Sequence, residues 1–142
     1  MKMHKLGDMS VGTAILCELI RPEANNKLSI LGVFTGDVIL ARLPSALGLS
    51  AYIEMLPHRL GKFEIEFRFM PPGGSESGFK SELEVSALGP LGLPLPTLLI
   101  NLTETGPLSL QVKVDHSEWH TVLERKIILG EMTAPLLGAP QG

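Results

Sequence analysis

The chain has a single cysteine, Cys17, in 142 residues. No intrachain disulfide can form, so packing alone must hold the fold, and a reducing cytoplasm is the expected compartment. Aromatic residues are scarce at 5%, which leaves a sugar-binding surface only Tyr52 and Trp119 to stack on. Charge is sparse too: 19% of residues are charged, against a usual share of about 25%. That favours a surface covered in an oligomer or by a partner. The net charge is −3 and the densest basic run is Arg125-Lys126. Nucleic-acid binding lacks its electrostatic footprint, and Lys2 and Lys5 are too few to hold an anionic membrane surface. No stretch approaches the roughly 20 apolar residues of a spanning helix. Lys2 and Lys5 imitate the start of a secretion signal, but Asp8 interrupts it and the run Val11 to Leu16 is short. "AILC" is like a lipoprotein cleavage box, yet Leu16 stands where a small residue is needed and Glu18 follows. No anchor is expected.

What is present is apolar residue in period two. The hydrophobic fraction of 44% fits a packed globule of one domain. In "KFEIEFRF", Phe63, Ile65, Phe67 and Phe69 fall on one side, and Lys62, Glu64, Glu66 and Arg68 on the other. A helix would scatter them; a strand sorts them. "FKSELEVSA" repeats the pattern with Phe79, Leu83 and Val85 inward. With the turn-rich "PPGGSESG" between, residues 62–87 predict an antiparallel hairpin with one wet face. "LSLQVKVD" buries Leu108, Leu110, Val112 and Val114, and "DHSE" turns into "WHTVLERKIIL". "LLINLT" and "LSAYIEML" add strands, the latter bounded by Gly48 and Pro57. Near the start, "GTAILCELI" predicts a strand ended by Pro22, with "KLSILGVF" beside it. A short helical turn fits Leu43 to Leu47. The fold class is all-β, an antiparallel β-sandwich of eight or nine strands, with a small β-barrel as the alternative. Residues 1–130 form the single domain. Residues 131–142 form a flexible or interface-docking tail.

Between the first two strands lies "RPEANNKLS". Asn25 and Asn26 tolerate the left-handed backbone that tight turns need, so a hairpin corner requires no ligand there. Gly32 implies a bulge or a close backbone approach. Three prolines (Pro90, Pro94, Pro96) among the leucines of "GPLGLPLPTLL" rule out a central strand and predict an apolar loop over residues 89–99. Leu91, Leu93 and Leu95 there, with Leu136 and Leu137 in the tail, are the candidate interface residues. The alternative for the loop is a crossover folded over its own core.

The stretch "AILCELIRPEANNKLSILGVFTGDVIL" resembles the opening of an uncharacterised bacterial family, a domain of unknown function. The resemblance is strongest over residues 13–40 and continues through "YIEML" and "FEIEFRFMPPGG" to about residue 128. It implies a small cytoplasmic β-sandwich and carries no catalytic motif.

Reactive chemistry finds little support in the residues. Cys17 sits on an apolar strand, as a buried thiol does, and no Gly-x-Ser-x-Gly elbow occurs. "DHSEWH" gathers Asp115, His116, Glu118 and His120, but in a turn entering a strand the spacing does not converge on one point. Three aspartates (Asp8, Asp37, Asp115) are too few for calcium loops. "GPLGLP" has prolines where a phosphate loop needs N–H donors. Glu64, Glu66, Glu82 and Glu84 lie on wet strand faces and are expected to pair with Lys62, Arg68 and Lys80. No catalytic residue, cofactor or metal is assigned. The expected function is a non-catalytic structural or protein-binding module that self-associates, a dimer first, or binds another protein. The alternative is a small-molecule or carbohydrate-binding module with a pocket near Tyr52, His58 or Trp119.

Overall fold

The computed structural model describes residues 3–131. Their elements are all strands: β1 (His4–Leu6), β2 (Met9–Glu23), β3 (Lys27–Val33), β4 (Val38–Leu40), β5 (Ser45–Pro57), β6 (Gly61–Met70), β7 (Ser77–Val85), β8 (Leu91–Pro94), β9 (Leu98–Leu102), β10 (Gly106–Val114) and β11 (His120–Leu129). No helix among the described residues is long and apolar enough to cross a membrane. The tail expectations, Leu136 and Leu137 included, concern residues outside those described.

The strands form two sheets. In the first, β2 and β5 make a long antiparallel ladder from Met9↔Pro57 to Cys17↔Ser50. The outer edge of β2 is shared by β1 near Val11 and by β3 from Cys17 onward. The outer edge of β5 is shared by β8 at Tyr52 to Met55 and by β9 at Ser45 to Leu49. The second sheet has the order β4-β11-β10-β6-β7, with β4 parallel to β11 and the other pairs antiparallel. The result is an all-β, sandwich-like fold in which one of the two sheets curls to a half-barrel.

Alternation builds the core. Phe63, Ile65, Phe67 and Phe69 of β6 and Leu108, Leu110, Val112 and Val114 of β10 are buried. Facing them are Leu49, Ala51, Ile53 and Met55 of β5 and Met9, Val11, Ala14 and Leu16 of β2. Burying a large apolar side chain is worth about 1.5–3 kcal/mol. On β2 the buried positions change from odd to even, because the register with β5 shifts between Val11 and Ala14. One extra residue there flips the phase. A similar shift between Leu110 and Gln111 marks β11 near Val122.

The structure has eleven strands where eight or nine were expected. The additional ones, β1, β4 and β8, have three or four residues each, too few for a period to show. No helical turn occupies residues 43–47: strand β5 begins at Ser45, paired with Leu102, and continues the inward series to Leu49. Pro22 does not end β2, which runs to Glu23. Beyond Cys17 only β3 pairs with β2 among the described residues. A residue without an N–H is tolerated where an edge is open. Residues 89–99 are not a loop throughout. Two strand segments flank residues 95–97, and both lie on the edge side of β5, where proline is admissible. Asn25 and Asn26 do turn the hairpin, with φ of 63° and 57°.

One arginine fastens three connections at the same end. Arg59 Nε donates to Asp8 Oδ2 at 3.0 Å, and Nη2 to Asp115 Oδ2 at 3.1 Å. Its guanidinium also donates to the carbonyls of Leu60 and Lys62 and lies 3.9 Å from the Phe63 ring centroid. Asp115 Oδ1 accepts from the Glu64 backbone N–H at 2.9 Å. The β1–β2, β5–β6 and β10–β11 turns therefore share one cation. Because the group is a third exposed, Arg59→Ala is expected to cost about 1–2 kcal/mol, several degrees in Tm. Arg59→Lys should recover less than half of that, since an ammonium cannot fork between two carboxylates. Urea titration of both variants checks it; an unchanged midpoint for Arg59→Ala would remove Arg59 from this role.

Candidate functional site

The outer face of the first sheet carries an apolar patch, with Glu54 of β5 at its border. The register places Ile15, Cys17 and Leu19 of β2 on one side with Leu31 and Val33 of β3. Tyr52 and Ser50 of β5 share that side through Ile15↔Tyr52 and Cys17↔Ser50. Leu99 of β9 joins it opposite Gly48. Ile15, Leu19, Leu31 and Val33 are each 38–45% exposed, and Leu99 is 65% exposed. Cys17 and Ser50 in the middle are buried. Ser50 Oγ donates to the Leu95 carbonyl at 2.6 Å, and burial pushes the Cys17 thiol pKa up.

From Glu18 to Gly32 the β2–β3 hairpin is a two-stranded ribbon exposed on both faces, with only Ile20, Ser29 and Ile30 half-buried. Its second face carries Ile20↔Ile30 and Pro22↔Leu28, all apolar. This face continues the side on which Ala14 and Leu16 enter the core, past the reach of the second sheet. Toward the tip the outer face turns polar: Glu23 accepts from Arg21 Nε at 3.1 Å and from Ser29 Oγ at 3.2 Å. Gly32 has φ 67°, and a Cβ there would collide with the Glu18 carboxyl. The expected close approach is thus made by a side chain, and the β2–β3 register runs on without a bulge.

The residues singled out in the sequence are dispersed. Leu95 is buried, and Leu91 and Leu93 are half-buried against the protein's own core. Tyr52 lies over Gly92, where any Cβ would strike its ring. His58 Nε2 is 2.7 Å from Ser10 Oγ. Trp119 lies by the second sheet, with the Arg68 guanidinium 4.0 Å and the Lys113 ammonium 5.8 Å from its ring centroid. Those cations crowd the π surface on which a sugar would stack. Of the three, Trp119 lines a recess on the second sheet with Arg68, Phe79 and Lys80; Tyr52 and His58 lie elsewhere.

The "DHSEWH" residues also separate. Asp115 is held by Arg59, His116 is exposed, and His120 stacks on His4 at 3.9 Å between ring centroids. Among the described residues no three His, Cys, Asp or Glu are grouped to hold a metal ion. On the wet side of β6 and β7, Lys62 pairs with Glu82 and Lys80 with Glu66, each at 3.3 Å, and Arg68 with Glu76 at 3.0 Å.

No model of a known protein family matches the chain, and no curated protein is similar to it. Function must be read from this geometry.

The His4–His120 stack has a consequence for stability. Burial and the nearby His4 hold the His120 pKa below the usual histidine value. The other residues lining that corner, Met3, Val11, Gly12, Thr13, Thr121 and Val122, are uncharged. The unfolded chain then binds a proton more readily than the folded one, so the contribution is intact above about pH 6.5 and is lost as pH falls from there toward the folded pKa. His120→Gln should flatten the fall of Tm between about pH 7 and pH 5. A wild-type slope retained in the variant would contradict this.

Proposed function

We propose that the protein is a non-catalytic cytoplasmic β-sandwich that self-associates, with a second copy of the chain seated on the ribbon and the adjoining outer face of the first sheet. The observation that carries this is the ribbon from Glu18 to Gly32, exposed on both faces, with Leu19 and Leu31 on one and Ile20, Pro22, Leu28 and Ile30 on the other. A two-stranded ribbon is marginal in water by itself, and exposed apolar surface of this kind marks an interaction site. A second copy suits it for two reasons. The ribbon holds Arg21 and Lys27 against Glu18 and Glu23, so two copies meet without net repulsion. The free edge of β3 can also pair with itself about a two-fold axis, which requires no separate receptor.

Size sets the strength. With ordinary strand rise and spacing, a two-stranded ribbon joined to the sheet only up to Cys17 presents no more than a few hundred Å² per copy. A symmetric pair would lie at or below the low end for specific complexes. The association is therefore reversible and concentration-dependent. In keeping with a non-catalytic role, Cys17 is buried with its thiol pKa raised, and Asp115 is engaged by Arg59. The lone buried cysteine also suits a reducing compartment.

Sedimentation velocity across the micromolar range should show a monomer–dimer equilibrium. Leu19→Glu and Leu31→Glu, both at exposed positions, should shift it to monomer while circular dichroism stays unchanged. A wild-type chain that remains monomeric at the highest concentration, or a dimer indifferent to both substitutions, would refute the proposal.

A further inference from the structure

Strand β7 closes one end of the second sheet, with β6 on one side and no strand on the other. Among the described residues it is the longest strand with a single neighbour, nine residues against seven or fewer for β1, β3, β4, β8 and β9. None of the backbone hydrogen bonds made by the turns and loops of the described residues reaches Ser77–Val85. Two devices that commonly blunt an edge are missing. The segment holds no proline, and its ladder with β6 runs from Gly61↔Val85 to Phe69↔Ser77 without a bulge. A long, regular, unpaired edge is a template for one more strand.

Both rows of β7 side chains narrow what that strand can be. On the inward row, Phe63, Ile65 and Phe67 of β6 are fully buried, but Phe79, Ser81 and Leu83, one strand further out, are only half-buried. The core thins at β7, and apolar side chains at every second position of an added strand would close over Phe79 and Leu83. The outward row is acidic, with Lys80 beside Glu82 and Glu84. Behind it Glu64 faces Glu82 across the ladder, and like charges so placed repel. Glu64, Glu66, Lys80 and Glu82 line one shallow recess of about 180 Å³. Lys80 is engaged by Glu66 and Lys62 by Glu82, each at 3.3 Å. No salt bridge among the described residues neutralises Glu64 or Glu84. An added strand with cations on its outward row supplies the missing charge. A second copy of β7 does not, because it brings Glu82 and Glu84 again.

We propose that the free edge of β7 binds an extended basic segment of another protein, which joins the second sheet as an added strand with apolar residues inward and Lys or Arg at the alternate positions. This edge belongs to the other sheet from the self-association ribbon, and neither surface depends on the other.

The test is an NMR titration of the ¹⁵N-labelled chain with the acetylated and amidated peptide Lys-Val-Lys-Val-Lys-Val-Lys at fixed ionic strength. The peptide should shift the amide signals of residues 77–85 saturably and slow hydrogen exchange within that segment, alike in the wild type and in Leu31→Glu. Two control peptides should not: Glu-Val-Glu-Val-Glu-Val-Glu, which reverses the charge, and Lys-Lys-Val-Val-Lys-Lys-Val, which keeps the charge and breaks the alternation. Glu84→Lys alters an exposed side chain that has no salt bridge, so it should fold with an unchanged Tm and bind the basic peptide at least about threefold more weakly. The proposal fails if the peptide leaves the β7 signals in place or moves those of residues 19–31 instead, if either control matches it, or if Glu84→Lys binds as the wild type does. A peptide-free dimer that persists in Leu31→Glu and protects the β7 amides would also overturn it, by giving the edge to a second copy.

Discussion

The ladder between β2 and β5 is the constraint on which the rest depends. Its hydrogen bonds run from Met9 to Cys17, and each strand carries two short partners end to end along its outer edge. β2 then continues to Glu23 while the ladder stops at Cys17. Everything past that point has a single neighbour, which is why the ribbon stands open on both faces. The ladder also decides what enters the core. A strand keeping strict period two from Met9 would turn Ala14 and Leu16 outward. The extra residue between Val11 and Ala14 restores them to the interior.

The bulge of β2 and that of β11 meet at one corner. Gly12 and Thr13 from the first and Thr121 and Val122 from the second line the same recess, with His4 and His120. Bulges bend and twist the strands that hold them, so both sheets are bent at this recess. The two imidazoles stack between them, opposite Val11 and Val112 in their ladders. The sandwich is thus fastened twice, by uncharged packing at this corner and by the Arg59 cation across three turns.

How much was legible follows from strand length and phase. The series Phe63 to Phe69 and Leu108 to Val114 could be read directly, because each runs through four inward residues without a break. β2 was legible only in part, since its bulge scrambles the alternation and Pro22 imitates an end. β1, β4 and β8 were hidden by brevity, and β8 also by its prolines. The contact between His4 and His120 joins residues far apart in the chain, which no local pattern reveals. Arg125 is a subtler case. It occupies an inward position of β11, in phase with Leu123 and Ile127, where a hydrophobic residue would be the expectation. A basic residue in an apolar phase was the available signal, and it was obscured because Val122 shifts the strand's phase just before it.

The outer faces of the two sheets show why low charge need not mean evenly low charge. On β6 the outward positions are Lys62, Glu64, Glu66 and Arg68, and β7 answers with Lys80 and Glu82. The outward positions of the first sheet include Ile15, Leu19, Leu31 and Val33, which with Tyr52 and Leu99 form an apolar patch bordered by Arg21 and Glu23 toward the ribbon tip and by Glu54 on β5. Both sheets alternate with the same period, so the difference does not arise from the backbone. It lies in the choice of outward residue, which packing within the monomer leaves unconstrained. A wet face accepts ion pairs worth little individually, and β6 with β7 is such a face. Apolar side chains at the same geometric positions gain nothing from water and gain from being covered. The first sheet therefore has its own core on one side and, on the other, the apolar patch that the proposed second copy would cover.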